Sequence, residues 1–185
     1  MNPVAGLVNL VRLIQAALRT SGRDTLNKTQ IQKLTYLACS SGLRCDFEFR
    51  MHHYGPYSFD LEDTIHLLEN SGILCSSVEI HQDWYEYKVG LGEDADDFLK
   101  RFGNLAPEEP MIGQVANKFG TKGTPELELA ATVHLVYTLL SRDWVGKDAS
   151  RSDVVETVIG LKPRFNSSQI EEAYDELIKE GLLAH

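Results

Sequence analysis

Apolar residues open the chain at helical spacing. Leu7, Leu10, Val11, Ile14 and Leu18 make one stripe, widened by Val8 and Leu13, which predicts a well-covered helix over residues 3–18. SGRDT breaks it. Asn27, with Gln30 three residues on, reads as a capping box opening a second helix. Ile31, Leu34, Leu37 and Ala38 face the core there, while Lys28, Gln32 and Lys33 point elsewhere, and Gly42 stops it. The period then changes to two. Phe47 and Phe49 alternate with Asp46, Glu48 and Arg50, as in a strand with one buried face. GPYS reads as a turn, and Ser58 or Asp60 caps a third helix with Leu61, Ile65 and Leu68 inward. Val78 and Ile80, then Tyr85, Tyr87 and Val89, alternate on two strands joined near Gln82 and Asp83.

The order is helix, helix, short strand, helix, hairpin. It predicts a winged-helix-like module over residues 1–92, its second and third helices forming a helix-turn-helix. Residues 93–123 read as a connecting segment with short helices near 94–102 and 108–119. Residues 124–185 read as a helical, helix-turn-helix-like module packed on the first. Thr124 and Pro125 start a strong helix whose inner face takes Leu127, Ala130, Ala131, His134, Leu135 and Leu139. Ser150 or Ser152 starts the next, and Ser168 with Glu171 the last, which ends at Gly181. LEDTIHLLENSGIL from Leu61 aligns without gaps on IEEAYDELIKEGLL from Ile170, so the two modules are candidate relatives of each other. The fold class expected is mainly α with a small β component.

Composition narrows the class of function. Hydrophobic residues make up 43% of 185, ordinary for a globular chain. Basic residues number 18 against 27 acidic ones, a formal charge of −9, which repels a phosphate backbone. The third helix carries Asp60, Glu62, Asp63 and Glu69 on its polar side, and the last carries Glu171, Glu172, Asp175 and Glu176, both unfavourable for reading DNA. A local patch of Lys28, Lys33, Arg44 and Arg50 is the basic candidate. Cys39, Cys45 and Cys75 have neither CxxC spacing nor an even count, so reduced, mostly buried thiols in a cytoplasmic protein are expected. The apolar N-terminal stretch is interrupted by Asn9, Arg12 and Gln15 and is too short to span a bilayer.

The densest chemistry lies in RMHHYGPYSFD, residues 50–60. Adjacent strand residues point to opposite faces, so His52 and His53 do not share a metal, and one buried and one exposed histidine is expected. Gly55 and Pro56 suit a rigid corner, with Tyr54 and Tyr57 packing beside it. There is no GxSxG, Walker loop or GxGxxG. No catalytic residue, metal or cofactor is expected.

Ile31, Gln32, Lys33, Leu34, Tyr36 and Leu37, followed by Tyr54, Gly55 and Pro56 and then Leu68 and Gly72, resemble the pattern of the Panacea-type (SocA-like) domain. They resemble still more the YwgA-like group of prokaryotic proteins. The resemblance covers about residues 25–75. It implies a mainly helical domain that acts by protein contact, as an antitoxin does on a toxin or an adaptor on its client. The leading expectation is therefore a non-catalytic, cytoplasmic interaction module. Its contact surface is expected at Lys33, Tyr36, Arg50, His52, His53, Tyr54 and Tyr57, where aromatic and basic groups crowd together. A winged-helix transcriptional regulator is one alternative. An enzyme using the His-Tyr corner is another, expected to show a concave pocket holding His53, Tyr54 and a convergent carboxylate. A homodimer is also expected if the first helix has a second apolar face to cover. No membrane association is expected.

Overall fold

The computed structural model describes residues 3–107, 110–143 and 149–183. Helix α1 (Pro3–Ser21) leads through a two-residue strand β1 (Leu26–Asn27) into α2 (Lys28–Ser40). A short hairpin follows, β2 (Arg50–His52) and β3 (Gly55–Tyr57), then α3 (Phe59–Asn70) and a long hairpin, β4 (Leu74–Ile80) and β5 (Tyr85–Leu91). The rest is helical: α4 (Ala95–Phe102), a 3₁₀ turn at Gly103–Leu105, α5 (Pro110–Phe119), α6 (Thr124–Asp143), α7 (Arg151–Leu161) and α8 (Ser167–Lys179). The chain is mainly helical with a small antiparallel component. One sheet has the order β1-β5-β4 and the other pairs β2 with β3.

Two helices form the centre. Every position from Gln30 to Ala38 of α2 is buried, and every position from Leu127 to Tyr137 of α6. A helix without a wet face must be surrounded. The two pack on each other, with α1 and α5 against α2, and with α7, α8 and β3 against α6. One cluster of buried apolar residues runs from Ala5 on α1 to Leu183 beyond α8. The second face of α1, which motivated the homodimer, is covered within the chain by α4, α5 and the 3₁₀ turn. Arg12 closes that contact, donating to the carbonyls of Ala106 (3.1 Å) and Gly103 (3.2 Å).

Local signals hold closely. Asn27 and Gln30 form the expected capping box. Ser58, not Asp60, caps α3, and Ser150 caps α7. Helices α3 and α8 end alike: Gly72 and Gly181 take φ of 71° and 73°. The next residues, Ile73 and Leu182, donate back to Leu68 and Leu177.

Several expectations are corrected. Phe47 and Phe49 do alternate with exposed neighbours, but pairing starts only at Arg50, because the partner strand is the three-residue β3. The turn is His53–Tyr54, and GPY is strand. The cap of α8 is Asn166, boxed with Gln169, two residues before Ser168; that start buries Ile170, Tyr174 and Leu177 together. Leu139, expected on the inner face of α6, is exposed. Cys39 and Cys45 form a disulfide, their Cα atoms brought to 6.0 Å by the reversal at Gly42, and Cys75 is exposed. Among the described residues no helix is long and apolar enough to cross a membrane.

Candidate functional site

The corner at residues 50–60 is held from below by polar side chains of α2. Gln32 grips the backbone of Ser58 twice: its amide donates to the Ser58 carbonyl (2.8 Å), and its side-chain oxygen accepts from the Ser58 N–H (2.9 Å). Lys33, with 0% of its surface exposed, donates from Nζ to the Pro56 carbonyl at 2.6 Å. Both side chains therefore point inward, not elsewhere. An unpaired buried backbone group costs about 1–3 kcal/mol, and these two residues satisfy three such groups in the corner. Burial lowers the Lys33 pKa from 10.5 to about 8; the Glu128 carboxylate works against that shift and Lys162 adds to it.

One turn further along α2, the Tyr36 hydroxyl meets His134 Nδ1 at 2.7 Å, and its ring packs edge-on against Phe49 and His134. Burial holds the His134 pKa at about 4, against an opposing hydrogen bond to the Leu182 backbone. The imidazole is thus neutral at ordinary pH. With Nε2–H given to Leu182, Nδ1 accepts from Tyr36.

Helix α6 closes the other side. Gly55 has φ of 82°, and a Cβ there would stand 2.5 Å from Thr132 Oγ1. Only glycine meets both the left-handed backbone and the close approach. Thr132 Oγ1 is itself buried and finds no hydrogen-bond partner among the described residues.

Above these anchors the surface is aromatic. The His52 ring lies 5.2 Å from that of His53, 5.3 Å from Tyr57 and 6.4 Å from Phe59, and Tyr57 lies 5.2 Å from Phe59. Phe59 is 65% exposed and Tyr54 57%. Burial, together with the Glu62 carboxylate that its hydroxyl meets, raises the Tyr57 pKa above the usual phenol range. Of the seven expected contact residues, Arg50, His52, His53 and Tyr54 are exposed and Tyr57 is half-buried. Lys33 and Tyr36 are not on the surface; they are buried beneath it, because the corner's backbone and His134 need their polar ends. Both histidines are exposed, since His53 belongs to the turn and strand alternation stops at His52. The expected basic patch does not assemble. Lys28 lies between Glu62 (3.6 Å) and His66 (3.2 Å), Arg50 pairs with Glu48, and Lys33 is buried.

Beside the corner lies a cleft of about 220 Å³ lined by His53, Tyr54, Glu128, Lys162, Pro163 and Arg164. Glu128 is buried on α6, and two cations from the α7–α8 loop converge on it: Lys162 at 3.0 Å and Arg164 in close contact. Lys162, itself buried, also donates to the His53 carbonyl and so pins the turn. A second cleft, about 350 Å³, lies on the other side of Lys162 against Met51, His52 and His53.

The long hairpin has a different character. Only Leu74, Val89 and Gly90 are buried. Its tip exposes Val78, Ile80, Trp84 and Tyr85, with His81 stacked on Trp84 at 3.9 Å. Glu79, His81 and Glu86 bring ligand-type atoms within 4.8 Å of one another, but the Lys88 ammonium already lies 2.5 Å from Glu86 and 3.5 Å from Glu79.

Gln32, Glu128, Thr132, Lys162 and Arg164 were not legible as site residues, nor was the exposure of Phe59. One signal was present: Glu128 is a lone carboxylate in the otherwise charge-poor run LELAATVHLVY.

No family model matches the chain. It is 26% identical over 159 residues to the uncharacterised protein YwgA of Bacillus subtilis (strain 168), a match spanning 85% of this chain and 89% of that protein. The similarity thus extends well beyond the residues of the sequence pattern.

Proposed function

We propose that the chain is a non-catalytic protein-interaction module of adaptor or antitoxin type, with its contact face at the aromatic corner. The observation that carries this reading is the exposed His52, His53, Tyr54 and Phe59 cluster standing on a backbone fixed by buried Gln32 and Lys33. Large rings on a rigid platform lose little freedom on binding and make efficient anchors. The Panacea-like pattern supports it: Gln32, Lys33, Tyr36, Gly55 and Pro56 build the platform, and Tyr54 stands on it. The order α1, β1, α2, α3, β4, β5, with the β2–β3 hairpin inserted between α2 and α3, and the sheet order β1-β5-β4 support a winged-helix-like reading of the first part. A cytoplasmic location goes with an adaptor role; the Cys39–Cys45 bridge is the observation that pulls against it.

The test is affinity capture from native extract, with the recovered partner then purified and rebound. Tyr54→Ala/Phe59→Ala should abolish binding while keeping the wild-type circular dichroism and melting curve, and Trp84→Ala/Tyr85→Ala should leave it intact. Binding that survives the corner variant, or that needs the hairpin tip instead, overturns the reading.

A second reading has its own observation. The cleft holds His53, Tyr54 and a carboxylate, the arrangement named for an enzyme. That carboxylate, Glu128, is bound by two cations, which fits a structural or ligand-holding role better than general-base work. The regulator reading has less support, because α3 presents Asp60 and Asp63 where a phosphate backbone would lie.

A further inference from the structure

We propose that the cleft between the His53–Tyr54 turn and the α7–α8 loop binds a phosphoryl group. The inference stands apart from the protein-partner reading and does not depend on it.

Charge balance is the first argument. Lys162 and Arg164 converge on a single carboxylate, Glu128, leaving a surplus of one positive charge, and the buried Lys33 ammonium lies beneath the same corner on the Pro56 carbonyl. Lys33 is fully buried and Lys162 nearly so, and buried charges are ordinarily paired. Yet the chain as a whole carries −9, so this concentration runs against its average. A phosphate monoester or inorganic phosphate carries about −1.5 to −2 near neutral pH and is drawn to such a surplus.

Donor geometry is the second argument. Lys162 Nζ gives two of its three N–H groups to Glu128 and the His53 carbonyl. Arg164 reaches Glu128 through one terminal nitrogen, and its side chain is 49% exposed at the cleft mouth. His53 and Tyr54 belong to the same lining. An ammonium and a guanidinium at one opening, with a histidine and a tyrosine in its lining, suit a group with three acceptor oxygens better than a planar one with two. Glu128 supplies the remaining requirement, holding both cations in place before the ligand arrives.

The test uses thermal unfolding and ¹H–¹⁵N chemical shifts of the full chain at constant ionic strength. Inorganic phosphate, a small phosphomonoester (glycerol 3-phosphate) and acetate are titrated separately. Saturable stabilisation by phosphate or the monoester is expected, with shifts centred on His53, Tyr54, Lys162 and Arg164. The tighter of the two tells a free ion from a phosphorylated small molecule. Arg164→Gln should weaken binding about tenfold, while Lys100→Gln, at an exposed site on α4, should not change it. If Arg164→Gln folds poorly, the wild-type shift map decides alone. No saturable effect, equal saturation by acetate, or shifts centred elsewhere overturns the proposal.

Discussion

The two hairpins invert the usual relation between strand length and order. The long one pairs seven residues with seven, yet every residue of β4 beyond Leu74 is exposed, and Ile80 at its tip is 82% exposed. The short one pairs three with three, too few to persist alone. It is nevertheless fixed at nearly every backbone step: Pro56 by Lys33, Ser58 by Gln32, His53 by Lys162, and Gly55 by its fit against Thr132. Buried side chains on two central helices and on the α7–α8 loop replace the missing ladder. A hairpin can therefore be ordered from outside its own sheet, and its exposed rings are then free to serve contact.

The contrast can be broken most directly at Glu128. Glu128→Gln leaves buried Lys162 without its counter-charge and should cost about 4 kcal/mol in urea unfolding. A loss below about 1 kcal/mol would mean that the cluster does not anchor the corner. Gly55→Ala comes next, at about 3 kcal/mol, because it combines a left-handed backbone with a contact that cannot relax without moving Thr132.

Titration sharpens the same comparison, since the anchors include two buried bases. His134 has its folded pKa lowered from 6.5 to about 4, so between those values the unfolded chain binds a proton that the folded chain does not. Stability should fall by about 3 kcal/mol as pH drops through that window. Lys33 acts at the other end. Its folded pKa is lowered from 10.5 to about 8, so the cost of burying its charge is complete below pH 8 and is relieved as pH rises towards 10.5. Wild type should therefore gain about 3 kcal/mol relative to Lys33→Met over that range, read as the difference of two denaturation series. The smallest effect belongs to the long hairpin. Trp84→Ala or Ile80→Thr at the tip should change stability by less than about 0.5 kcal/mol, and a larger loss would show that the tip is packed in solution.

Where a signal is local, the sequence discloses it. The Asn27–Gln30 box and the stops at Gly42, Gly72 and Gly181 depend on neighbours within one turn. The β4–β5 hairpin and its turn near Gln82 and Asp83 follow from local alternation, although Val78 and Ile80 lie exposed. What stayed hidden depends on separation. Lys33 and Gln32 find their partners 23 and 26 positions away, and Arg164 finds Glu128 at 36. A polar residue on a helix reads as solvent-facing until the backbone that needs it is known. The last helix offered two valid caps, Asn166 and Ser168, and only packing of Ile170 and Leu177 chose between them. Within the site, the rings of residues 52–57 were visible, but the cluster of Glu128, Lys162 and Arg164 joins residues that no short motif contains.

Asn27 shows how far a single amide can restrict the ways this chain can vary. Its oxygen caps α2 through the Gln30 N–H, while its nitrogen donates to Glu86 on β5 and to Thr124 at the head of α6. Both polarities are in use at once. Aspartate would keep the cap and lose two donors beside a carboxylate; serine would keep the cap and lose the reach. Position 27 is thus held by three elements at once, and a substitution there should cost stability unless β5 and α6 change with it.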